Sequence, residues 1–180
     1  MLSHDREFVY GPRGFKNIDE MNEAIVERWN SVVAPEDIVY HLGDVMLNDN
    51  DKGMEYLKRL NGKIIILCGN HDTDKRKALY FYAPNVSYSE SLKYADVVKY
   101  GKYHFYLSHY PTNTSNLENN APLSQHMINL YGHTHQQTNF YQDVPYMYHV
   151  GLDSHDCYPV SAEQVLADIR EKVEECRAML

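Results

Sequence analysis

Lys63-Ile64-Ile65-Ile66-Leu67-Cys68 is apolar from its second residue onward, with Asn61-Gly62 in front of it and Gly69-Asn70-His71-Asp72 behind. A run of this length between turn residues predicts a strand covered on both faces, as in parallel sheets. It is far shorter than the ~20 residues a membrane-spanning helix needs. The polar tail matters as much as the run itself. Loops at the carboxyl ends of buried strands are held by a rigid sheet edge, and open α/β sheets place their ligands there.

The same pattern occurs just upstream, where Asp37-Ile38-Val39-Tyr40-His41-Leu42 is β-prone and delivers Gly43-Asp44 at its end. A helix over Lys52–Leu60 separates the two runs. Further back, Asn17-Ile18-Asp19-Glu20 has the form of a capping box, and Ile18, Met21, Ile25, Trp29 and Val32 follow at helical spacing. Downstream, a short helix over Lys75–Tyr82 is stopped by Pro84, and the apolar period then changes to two. Strands are expected over Leu92–Tyr100, Tyr103–Ser108, Ile128–Tyr131 and Tyr146–Val150. Ser161-Ala162-Glu163-Gln164 is a second capping box, opening a helix with Val165, Ile169, Val173 and Cys176 on one stripe. Helix–strand alternation followed by strand-rich sequence predicts a layered α/β sandwich. No repeat or linker-like stretch divides the 180 residues, so one domain over residues 1–180 is expected.

Seventeen Lys and Arg against 25 Asp and Glu leave a net charge of −8, which disfavours generic nucleic-acid or anionic-membrane binding. A phosphorylated substrate remains compatible, because bound divalent cations reverse the local sign. The charged start Met1-Leu2-Ser3-His4-Asp5-Arg6-Glu7 lacks the pattern of a secretory signal, so a cytoplasmic protein is expected. Cys68, Cys157 and Cys176 are odd in number and widely spaced, and read as free thiols. Most of the 16 tyrosines lie in strand-like runs, where aromatic rings serve sheet packing. Neither a Gly-x-Gly-x-x-Gly nor a Walker pattern appears.

Four strand ends carry chemistry: Gly43-Asp44, Gly69-Asn70-His71-Asp72, Ser108-His109-Tyr110-Pro111 and Gly132-His133-Thr134-His135. Together they offer a carboxylate, an amide oxygen and imidazoles without a thiolate. That set suits manganese, iron, zinc or nickel better than calcium or magnesium. His133 and His135, two apart, project to the same side of an extended segment and could serve adjacent metals.

In these blocks the sequence resembles the calcineurin-like metallophosphoesterases, whose signature runs Asp-x-His, Gly-Asp, Gly-Asn-His-Asp/Glu, His, Gly-His-x-His. Four of the five blocks are present in order. The resemblance implies a four-layered α/β sandwich and a phosphoric ester hydrolase, acting on phosphomonoesters or phosphodiesters of small or nucleotide-like substrates through two divalent metal ions, manganese foremost. It makes Asp44 the carboxylate bridging the metals, with Asn70, His109 and His133 completing one site and His135 serving the other. A bridging hydroxide would attack phosphorus in line. His71 would protonate the leaving group, oriented by Asp72.

The Asp-x-His block and the strand that carries it are not in this chain. Met1-Leu2-Ser3-His4 resembles the segment that follows them. A truncated or misassigned start and a natural variant with a damaged first metal site both fit, and a lost central strand would expose its neighbours' edges. The alternative function is therefore a catalytically impaired relative that retains one metal and acts as a binding scaffold.

His4, Arg13, Arg76, His149 and Asp153 complete the candidates, as residues that contact substrate or support the ligands. Surface charge is the simpler reading for Arg13, Lys75 and Arg76, and helix capping is an alternative for Asp72. His41 and His104 are expected to be packed and hydrogen-bonded, and His126 exposed.

Overall fold

In the computed structural model, which describes residues 1–114 and 121–178, the chain forms two sheets with helices against each. A short helix α1 (Glu7–Tyr10) precedes α2 (Ile18–Val32), whose Asn17 side chain accepts from Glu20 N–H as the capping box requires. Then come β1 (Ile38–His41), α3 (Asn50–Leu57), β2 (Lys63–Ile66) and α4 (Asp74–Tyr80). The second sheet is built from β3 (Ala95–Tyr100), β4 (Tyr103–Ser108), β5 (Met127–Tyr131) and β6 (Met147–His149), and α5 (Ala162–Ala178) follows. Ser161 Oγ accepts from Gln164 N–H at 3.2 Å, so the second capping box also forms.

β1 and β2 pair in parallel, Ile38 opposite Lys63 and His41 opposite Ile66. The second sheet runs β3-β4-β5-β6, antiparallel in its first pair and parallel thereafter. Two apolar clusters hold the layers. Met21, Ile25 and Trp29 of α2 and Leu57 of α3 cover Ile64 and Ile66, which are fully buried as the continuous apolar run requires. Phe105, Leu107, Ile128 and Tyr148 pack with Val165, Leu166 and Ile169 of α5, and Leu42 and Leu67 join them from the first sheet.

β2 is bridged on its far side at Val86 and Lys93. Among the described residues nothing pairs the other edge of β1, and Ile38 is 60% exposed there. That edge faces a cavity of about 970 Å³ lined by Trp29, Ile38, Tyr40, Val98, Phe105 and Val165. An open edge on β1 is what the absence of a neighbouring strand predicts. Leu2 continues the sheet past the gap, pairing in parallel with Met46.

His126 departs from expectation. It is buried, stacked on Tyr146 at 4.0 Å, with Nε2 against the Ala121 carbonyl at 3.2 Å, because the turn before β5 folds it under the sheet edge. His41 is buried as expected, but its Nδ1 has no hydrogen-bond partner. The three cysteines are free. Among the described residues no helix is long and apolar enough to cross a membrane.

Candidate metal centre

The four polar strand ends meet at one edge of the two sheets. Asp44 and Asn70 come from the loops after β1 and β2, His109 and His133 from those after β4 and β5. Gly43 and Gly69 allow the first two loops to touch. A Cβ on Gly43, at φ +92°, would lie 2.4 Å from Gly69 N, and one on Gly69 would lie 2.3 Å from Asp44 Oδ1. No other residue type fits either place.

His109 is the hub. Its Nδ1 donates to the Leu42 carbonyl at 2.7 Å, which fixes the tautomer and leaves Nε2 as a lone-pair donor. Around that Nε2 stand Asn70 Oδ1 at 2.9 Å, His133 Nδ1 at 3.1 Å and Asp44 Oδ2 at 3.4 Å. The ligand atoms of Asp44, His109 and His133 all lie within 4.8 Å of one another. Ligand atoms each about 2.1 Å from a shared ion stand roughly 3.0–3.4 Å apart, so these donors fit a single divalent cation. The chemistry fits as well. Two imidazole lone pairs, a carboxylate and an amide oxygen facing one point repel each other unless a cation lies between them. Burial, with the neighbouring His109, lowers the His133 pKa and so favours the neutral ring a metal requires.

Asp72 does something other than orient His71. Its Oδ2 accepts from Gly69 N–H at 2.8 Å and Asp44 N–H at 2.7 Å, and its Oδ1 from Val45 N–H at 3.3 Å and from the Tyr80 hydroxyl. Among the described residues no bond joins it to the His71 ring, so the expected dyad is not formed. Burial alone would raise the Asp72 carboxyl, but the bonds from Tyr80, Gly69 and Asp44 outweigh it and lower the pKa. Asp72 thereby clamps the first two loops together. Thr73, not Asp72, caps α4. The His71 side chain is exposed at the site mouth, and its backbone N–H donates to Asp44 Oδ1 at 2.8 Å. Arg76 supports this turn, donating to the His71 carbonyl at 2.7 Å and to Asn50 Oδ1 at 2.9 Å.

His135 lies outside the cluster. Its Nδ1 stands 3.2 Å from Asp153 Oδ2, and Asp153 receives a two-pronged contact from Arg13, Nε at 2.9 Å and Nη2 at 2.8 Å. Arg13 is therefore neither a surface charge nor free to meet substrate, its side chain being 5% exposed. His4 is buried with its ring 5.6 Å from that of His135, and burial pushes it down to about 3. His149 is buried against Ser154 Oγ at 2.8 Å and does not reach the cluster.

Three contributors escaped the sequence reading. Tyr80 sits one helix away from the carboxylate it holds, with no local signal. Asn129, a lone amide inside an apolar strand, was a readable signal: it is fully buried, accepts from Thr112 N–H at 2.7 Å and donates to Ser108 Oγ at 2.9 Å, bracing the His109 loop. Tyr110, 49% exposed, places its ring 4.6 Å from that of His133.

Residues 20–152 match the model of the calcineurin-like phosphoesterase superfamily domain. The chain belongs to that superfamily. An uncharacterized protein of Methanocaldococcus jannaschii, MJ1445, is 31% identical over 151 residues, covering 81% of this chain and 70% of that protein. The crystal structure of AQ665 from Aquifex aeolicus, a protein of unknown function, shares the fold with a TM-score of 0.64 at 22% identity, over 92% of this chain and 94% of that one. A novel archaeal phosphodiesterase is similar at 22% identity with a TM-score of 0.46, over 72% of this chain and 73% of that one. For a calcineurin-like phosphoesterase, metal-dependent phosphoester hydrolysis is the chemistry that family and donor set together indicate.

Proposed function

We propose that this chain hydrolyses phosphomonoesters or phosphodiesters of small or nucleotide-like substrates at the Asp44–Asn70–His109–His133 cluster, with manganese as the first choice of metal and a second ion beside it at His135. The convergence of three donors within 3.4 Å of His109 Nε2 carries this reading. Divalent cations held there would polarise a phosphoryl oxygen and lower the pKa of a bound water. The protein's own groups do the rest. Asp44 would hold an ion together with Asn70, His109 and His133, while Asp72 and the two glycines fix the loops that aim it. His71, exposed at the mouth and free of side-chain partners among the described residues, is placed to protonate a departing alkoxide. Tyr110 offers a planar face to the leaving group.

The test is hydrolysis of p-nitrophenyl phosphate and bis-p-nitrophenyl phosphate with added manganese. It is run on the chain as it stands and on one preceded by a strand ending in Asp-x-His. Activity that rises with the extension and disappears in Asp44→Asn supports the reading; inactivity of the extended, metal-loaded protein on both substrates overturns it.

A second reading is favoured by a specific observation: His135 faces Asp153 with no other metal-ligating cluster around it among the described residues. On that reading the chain holds one ion and serves as a binding scaffold. One equivalent of manganese, together with no turnover in either form, would select it.

A further inference from the structure

Because the Asp72 carboxylate turns back to the loops after β1 and β2, something else must aim His71. The His71 side chain is exposed and has no hydrogen-bond partner among the described residues, so its ring is directed only through its own backbone. That backbone is gripped at both ends. The His71 N–H donates to Asp44 Oδ1 at 2.8 Å, and the His71 carbonyl accepts from Thr73 N–H at 3.0 Å and from Arg76 Nη1 at 2.7 Å. A carbonyl oxygen has two lone pairs, and here both are used. Arg76 is itself held from the other side, its Nε–H donating to Asn50 Oδ1 at 2.9 Å in the first turn of α3. Two bonds made from different nitrogens fix the plane of a guanidinium, which a lysine amine cannot reproduce.

We propose that Arg76 is the positioning residue for His71: tied to α3 through Asn50, it holds the Gly69–Asp72 turn so that the His71 ring stays at the mouth of the Asp44–His109–His133 cluster. What the ring does there rests on the phosphoesterase reading, but the grip on its backbone does not. Asp44 takes the other end of the same residue. Its Oδ1 receives the His71 N–H while its Oδ2 stands 3.4 Å from His109 Nε2, so one carboxylate links the cluster to the turn and Arg76 closes the turn from the opposite side. Holding His71 by its backbone leaves both ring nitrogens without a partner, and the ring can meet a leaving group without first giving one up. Misplacing a reacting group by about 1 Å can cost about 100-fold in rate.

Arg76→Met keeps the stem of the side chain and removes both of its bonds. Amide hydrogen exchange of the metal-free chain reads the grip directly: the His71 N–H is expected to exchange roughly 10-fold or more faster than in wild type, with the amides of β2 unchanged. Turnover reads its use. In the form of the protein that hydrolyses phosphoesters, kcat for a methyl ester is expected to fall roughly 10- to 100-fold. For the p-nitrophenyl ester, whose leaving group departs without a proton, kcat should fall less than about 3-fold, with KM unchanged for both esters. Asn50→Ala leaves the charge in place and frees only the far side of the guanidinium. It should show the same pattern more weakly, and it decides the matter if Arg76→Met does not fold. Arg76→Lys should recover only part of the loss. An equal fall on both esters, a raised KM with kcat unchanged, or unaltered exchange at His71 overturns the proposal. Faster exchange at His71 in a protein that turns over neither ester, even with the added strand and manganese, would uphold the grip and overturn the phosphoesterase reading instead.

Discussion

The two halves of the site are built in opposite ways. Around His109, four donors from four loops converge, and the supporting bonds from Leu42, Asp72, Tyr80 and Asn129 come from further side chains and backbone behind them. Around His135, the support is in place, as a buried carboxylate and a buried guanidinium, but the ligand is single. One half is a set of ligands gathered by a sheet edge. The other is a holder for one ligand beside the cavity that the open edge of β1 faces. Ligand supply and ligand support are thus separable among the described residues: the first half has both, the second has support around a single ligand.

The largest expected effect separates the halves by metal. His109→Ala removes a ligand and the Leu42 tie together, and should weaken the first manganese equivalent by more than the roughly 100-fold that loss of a supporting partner costs. His135→Ala should leave that equivalent within about 3-fold, since His135 is not among the donors gathered around His109 Nε2. Equal losses in the two variants, read by manganese titration, would show that the halves form one inseparable site.

Asp72→Ala comes next, on stability. It strips the acceptor from the backbone N–H groups of Asp44, Gly69 and Val45 and from Tyr80, and should cost about 3–5 kcal/mol by urea denaturation. The corresponding loss for Asp44→Ala should be smaller, about 1 kcal/mol, because its carboxylate accepts a single backbone N–H, that of His71, and otherwise faces the other donors. The reverse ranking would mean that Asp72 is not the clamp.

Acid should reach the two halves at different pH. Burial pushes His149 down to about 4 and His4 down to about 3. Both therefore stay neutral when folded while the unfolded chain takes up protons. Their effect is absent above about pH 6.5 and erodes stability as pH falls from there toward 4, by up to about 1.4 kcal/mol per pH unit for each ring. Asp72 works the other way: its lowered folded pKa gives stability that is present above about pH 4 and lost only below it. His149→Asn should flatten the upper part of a urea-midpoint profile against pH and leave the lower part in place.

The smallest effect concerns the site mouth. Tyr110→Ala should raise KM for an aryl phosphate roughly 2- to 12-fold, the range an aromatic contact of 0.5–1.5 kcal/mol gives, with kcat nearly unchanged. An equal change for a methyl phosphate would remove stacking as the cause.

Much of this was legible in the residues. The buried strand at Lys63 and the two capping boxes rest on local chemistry, and they form as read. The four donors of the cluster could be named because each follows a strand-like run directly. What lay beyond reach depended on distance in three dimensions. Asp72 adjoins His71 in sequence, yet its carboxylate turns back to the chain after β1. Arg13 looked like surface charge because its partner lies 140 residues away. His126 seemed exposed because nothing local shows that the turn before β5 folds beneath Tyr146.

One consequence of the cluster concerns folding rather than chemistry. Asp44 and Asn70 belong to one sheet, His109 and His133 to the other, so an ion between them is a clasp across the layers. The donors are separated in sequence by 24–39 residues, and no fragment carrying one sheet alone could hold the ion well. Metal would therefore bind the assembled pair of sheets and scarcely the unfolded chain, adding about 2.7 kcal/mol to stability at a hundred times its dissociation constant. A chelator would then act as a mild denaturant of the join, loosening one sheet from the other before either sheet comes apart.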